Sequence, residues 1–70
     1  MTTQNYIKRL RAYRNTHRLE LMQLETIRDL REIDGNLEEV ALLDSLISER
    51  IEYIGKIQSD IDLVSGKGEA

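Results

Sequence analysis

His17 and Glu20 stand three residues apart, a spacing at which one helix face presents two metal ligands or a proton relay. The chain has no other histidine and no cysteine. A carboxylate-bridged metal centre takes several such pairs, and a thiolate centre takes cysteines, so neither is expected. Ser45, Ser48 and Ser59 have no second histidine or lysine base arranged beside them, which leaves nucleophilic catalysis without an activating partner. A pair of helices also has no cleft in which to hold an acid and a base against a substrate. A non-enzymatic protein is therefore expected, with no metal, cofactor or small-molecule substrate. His17 is expected to be half-buried and bonded to the neighbouring carboxylate.

A third polar residue, Arg50, sits in an apolar series. Val40, Leu43, Ile47, Arg50, Ile54, Ile57, Ile61 and Val64 alternate steps of three and four, which is a heptad seam. Tyr6, Leu10, Tyr13, His17, Glu20, Leu24 and Ile27 do the same upstream. The stretch IDGN at 33–36 separates the two series. Gly35 suits the left-handed residue that ends a helix, and Asn36 with Glu39 suits a capping box. Thr2 or Thr3 suits the first N-cap. The spacing predicts one all-α domain over residues 1–70: helix at about 3–33, turn at about 34–36, helix at about 37–64, and a frayed tail over 65–70. The short turn folds the helices into an antiparallel, coiled-coil-like hairpin.

Residues whose numbers add to about 70 or 71 then face each other: Leu24 and Ile47, Ile27 and Leu43, Tyr13 and Ile57, Leu10 and Ile61. The same register sets Glu20 opposite Arg50, with His17 one turn away. This polar layer has two possible arrangements. Either the pair is partly buried and fixes register, since buried pairs seldom add net stability, or Leu21 and Ile51 turn inward and the pair is a flanking surface bridge. The placement of Leu21 and Ile51 favours the surface bridge.

Seventy residues support only a small core. Disulfides are excluded, so association is the expected supplement. There is apolar surface left for it. Leu19, Met22, Leu30 and Ile33 lie off the first seam, and Leu42, Leu46 and Tyr53 lie off the second. Two helices have no third wall to cover these residues. They are expected to form a partner interface that completes a four-helix bundle, as a homodimer or on a partner's helices. Gly55, in mid-helix, suits either close approach of a partner helix or a plain surface position.

Residues 1–19 carry five basic groups, Lys8, Arg9, Arg11, Arg14 and Arg18, and no acid; residues 20–70 carry five basic and thirteen acidic groups, a net of −8. A basic first half-helix with Tyr6 and Tyr13 interleaved suits nucleic acid, but the whole chain is at −3 and a charged face also orients protein partners. Asp60 and Asp62 are expected beside the basic end, answering part of its charge. No apolar stretch is long enough to span a membrane, and a chain without cysteine fits the cytoplasm. A small regulator, inhibitor or chaperone-like adaptor is the expected function. A nucleic-acid-binding hairpin dimer or transcription co-regulator is the alternative.

The opening MTTQNYIKRLR resembles the start of the Hha/YmoA family of small nucleoid-associated co-regulators over about eleven residues. The resemblance implies action through a DNA-binding partner. The chain lacks that family's alanine-aspartate-histidine-arginine motif and its C-terminal tryptophan, and its first helix is unbroken where the family's fold is more broken. No family is assigned on this stretch.

Overall fold

A computed structural model describes residues 3–69 of the chain, as two α-helices and the turn between them. Helix α1 spans Thr3–Ile33 and helix α2 spans Leu37–Glu69. They pack against each other antiparallel as a rod of 51 × 15 × 14 Å. At about 1.5 Å per residue, a helix of 33 residues accounts for the length of the rod. Thr2, one of the two expected caps, lies outside the described residues. Two threonines inside α1 are accommodated by bonding back one turn, Thr16 Oγ1 to the Ala12 carbonyl and Thr26 Oγ1 to the Met22 carbonyl, both at 3.0 Å.

The reversal is made by backbone chemistry. Gly35 takes φ of +76°, the left-handed region that a side chain disfavours. Its N–H donates to the Glu32 carbonyl at 3.0 Å, and the Asn36 N–H donates to the Arg31 carbonyl at 2.9 Å. This pair of bonds is a Schellman motif, which satisfies carbonyls that the end of a helix leaves open. Asn36 then caps α2: its side-chain oxygen accepts from the Glu39 N–H at 3.3 Å. The reciprocal half of the expected capping box is absent. The Asn36 N–H is already committed to Arg31, and the Glu39 carboxylate pairs instead with Arg31 Nε at 2.6 Å.

All eight residues of the α2 series, Arg50 included, are buried or half-buried. The α1 seam differs from the one expected. Leu10, His17 and Leu24 face inward as read, but the alternate positions are shifted by one residue. The inward series is Ile7, Leu10, Arg14, His17, Leu21, Leu24, Arg28 and Arg31, which alternates threes and fours throughout; Glu20, expected in the seam, is half-buried beside Leu21. Tyr6, Tyr13 and Ile27 are exposed, so Tyr13 is not packed away against Ile57. Long arginine stems line apolar surface while their guanidinium groups reach outward, so Arg14 and Arg28 occupy seam positions that the hydrophobic pattern assigns to their neighbours. Among the described residues only Val40, Ile57 and Ile61 are buried, and none of them fully.

The end of α2 also differs. The helix does not stop near Val64 but continues through Ser65 and Gly66 to Glu69. A glycine costs a helix about 1 kcal/mol, which weakens it without breaking it. Ala70 lies outside the described residues.

Candidate interaction surface

The polar layer lies at mid-length of the rod, where Tyr53 is the midpoint of α2 and Arg18 that of α1. Arg50 Nη1 is 2.9 Å from Glu20 Oε2 and 2.8 Å from His17 Nδ1. The contact with His17 is a hydrogen bond and that with Glu20 an ion pair. A guanidinium only donates, so in this contact His17 Nδ1 is the acceptor. Glu20 is farther from the same nitrogen, at 3.4 Å, so the close partner of the half-buried histidine is Arg50 rather than the carboxylate. Tyr53 closes the layer, its ring meeting that of His17 edge-on with centroids 4.7 Å apart.

The Glu20 and Arg50 side chains remain 41% and 33% exposed. The bridge thus lies between the two expected arrangements, with Arg50 in a seam position and both side chains partly exposed. Leu21 turns inward; Ile51 stays 54% exposed. Arg50 keeps the seam position and Ile51 lies beside it, on the opposite flank.

Towards the turn the hairpin is fastened by ions. Arg28 Nε donates to Asp44 at 2.6 Å, and its Nη1 reaches Glu32 and Asp29. The hydrogen bond to Asp44, then the charge of Asp44, hold the Arg28 pKa above its ordinary value, with Glu32 adding to the effect. Arg31 bridges α1 to α2 through Glu39. Sequence pattern alone missed the Arg28–Asp44 link, although a seam series read with arginines allowed in it contains Arg28.

The seven residues expected at a partner interface, Leu19, Met22, Leu30, Ile33, Leu42, Leu46 and Tyr53, are all exposed, between 48% and 81%. They do not share one face. With the inward series as observed, Leu42, Leu46 and Tyr53 lie along one flank of the hairpin and Leu30, three residues after Ile27, borders it, whereas Leu19, Met22 and Ile33 lie on the back of α1. The flank carries residues that the sequence reading had placed in the seam or left out. Ile27 joins Leu42, Leu43 and Leu46 along a groove between the helices, bounded by the Arg31–Glu39 pair. The groove continues along α2 through Leu46, Glu49, Arg50 and Tyr53 to the polar layer. Tyr6 and Tyr13 precede Ile27 at heptad steps on the same flank, and Leu63 follows Leu42 in the same way. Ile27 also borders a second apolar groove with Leu19 and Met22, so flank and back are continuous. The opposite flank, with Arg11, Arg18, Glu25, Asp44 and Gln58, is polar except for Ile51.

The five basic residues do not form one face either. Arg14 is half-buried in the seam and donates from Nη1 to Gln58 Oε1 at 2.9 Å; Gln58 Nε2 in turn donates to Asp62 at 2.9 Å. Asp62 thus answers the basic end through an amide relay. Arg11 and Arg18 follow the polar flank, while Lys8 and Arg9 point to other sides of α1. Among the described residues no acid forms an ion pair with Lys8, Arg9, Arg11 or Arg18. Gly55 has open space where a side chain would stand. Among the described residues no helix is long and apolar enough to cross a membrane.

No protein-family model matches the chain, no curated protein matches it, and no solved structure matches it.

Proposed function

We propose that this chain is a non-enzymatic protein–protein interaction module, a small regulator, inhibitor or chaperone-like adaptor. It acts by burying the Ile27–Leu46–Tyr53 flank on partner helices and completing a four-helix bundle. One observation carries the proposal: thirteen large hydrophobic side chains are exposed among the described residues, against three that are buried. Scattered apolar residues on a surface need no explanation, but a contiguous run along one flank of so small a fold is the mark of a contact surface. A cysteine-free chain suits a reducing compartment, and the proposal includes a cytoplasmic setting.

The nucleic-acid alternative draws on Lys8, Arg9, Arg11 and Arg18, which no acid of the described chain neutralises directly. Their spread around α1 and the capture of Arg14 in the seam weaken it, because phosphate tracking needs cations aligned along one groove or stripe.

The test is the hydrodynamic mass of the full chain, pure and added to a native extract, compared with the double variant Leu46→Gln, Tyr53→Gln. The parent is expected to migrate well above its 8.1 kDa in at least one setting. The variant is expected to return to that mass with its helical circular dichroism retained. A parent that stays at the mass of one chain in both settings overturns the proposal.

A further inference from the structure

The hairpin is electrically bipolar along its length. Cut at mid-length, between Arg18 and Leu19 and between Glu52 and Tyr53, the half towards the chain termini holds seven basic and three acidic residues, +4. The half towards the turn holds three basic and ten acidic residues, −7. The apolar flank crosses both halves, and some of its residues stand in pairs about the middle. Leu42 and Leu63 lie eleven and ten residues to either side of Tyr53; Glu49 and Lys56 lie four and three to either side. On α1, Tyr6 and Leu30 each lie twelve residues from Arg18.

A surface with this pattern complements itself when reversed. We propose that the flank is covered by a second copy of the same chain, turned end for end about a two-fold axis that passes through the His17–Tyr53 layer. The inference rests on the flank being an interface, as proposed above, and adds the identity and direction of its occupant. In this arrangement α1 lies antiparallel on α1 of the second copy, and α2 on α2. The +4 half of each chain meets the −7 half of the other. Leu63 stands over Leu42 of the second copy, and Lys56 over its Glu49, each contact made twice as a two-fold interface requires. A parallel pair would set like halves together, which complementary interfaces avoid. A face of 51 by 15 Å has a footprint of roughly 750 Å², close to the about 800 Å² per partner of a standard specific interface.

The test uses the purified full chain. Sedimentation equilibrium is expected to give twice 8.1 kDa at tens of micromolar. Because the chain has no cysteine, two exposed positions can carry unique labels. A chain with Leu42→Cys mixed with one with Leu63→Cys is expected to be joined by a short bismaleimide, and Leu42→Cys alone is not. Lys56→Glu or Glu49→Lys singly is expected to weaken dimerisation about three- to tenfold at low salt, and the exchange of both to restore it. A dimer in which Leu42→Cys links to itself overturns the reversed orientation. A pure chain that remains monomeric at about 200 µM overturns the second copy as occupant. If that monomer still enters a larger complex in extract, the flank stands as an interface for a different protein; if it does not, the interface itself fails.

Discussion

Arg50 and Glu20 face each other across the hairpin, their Nη1 and Oε2 atoms 2.9 Å apart and both side chains a third or more exposed. A bridge so wetted contributes under about 1 kcal/mol. Glu20→Gln is therefore expected to lower stability by less than that in urea unfolding. Arg50→Leu extends the apolar seam between Ile47 and Ile54 and is expected to leave stability unchanged or raise it by up to about 1.5 kcal/mol. A loss beyond about 2 kcal/mol from either change, at constant m, would mean that the layer holds the register.

The two glycines Gly35 and Gly55 are expected to respond in opposite directions to the same substitution. Gly35→Ala forces a side chain into φ of +76° and is expected to cost about 1–2 kcal/mol. Gly55→Ala meets no atom within 4 Å and is expected to add about 0.5–1 kcal/mol. Thermal midpoints followed by circular dichroism separate the two. A destabilising Gly55→Ala would reveal a neighbour at that site, a close-packed partner helix among them.

Asn36 supplies the cap of α2 through its side-chain oxygen. Asn36→Ala is expected to cost about 1 kcal/mol, and Asn36→Ser to retain most of the cap. Hydrogen exchange at the Glu39 amide reports this locally: it is expected to accelerate in the alanine variant and not in the serine variant.

Arginines scattered around α1 make a poor phosphate track. The chain is expected to show no shift of duplex DNA or RNA in a gel at about 150 mM salt, with or without the reversals Arg11→Glu and Arg18→Glu. Tight binding to either polymer, abolished by those reversals, would instead favour the nucleic-acid alternative.

Legibility in the sequence followed hydrophobicity. The turn at Gly35, the Asn36 cap and all eight seam positions of α2 could be read, because that helix keeps branched apolar residues at seven of them. The register was readable too: Glu20 meets Arg50 as spacing implies, although Tyr53, expected only at a partner interface, also meets His17. The α1 seam was half legible. Its pattern offers Tyr6, Tyr13 and Ile27 one step from Ile7, Arg14 and Arg28, and a rule that prefers apolar side chains selects the wrong set. An arginine with an aliphatic stem and an acidic or amide partner across the hairpin, as Arg14 has in Gln58 and Arg28 in Asp44, satisfies the seam better than a tyrosine there. The same slip hid Ile27 from the flank, where it borders both apolar grooves.

The two ends of the rod are held by different forces. Arg31–Glu39 and Arg28–Asp44 cross the hairpin near its turn, beside the buried Val40, whereas Ile57 and Ile61 are covered towards its mouth with no ion pair across them among the described residues. Ionic strength screens the first kind of attachment, and chilling weakens the second. Brine should loosen the molecule from the bend outward, and cold should part its free tips first.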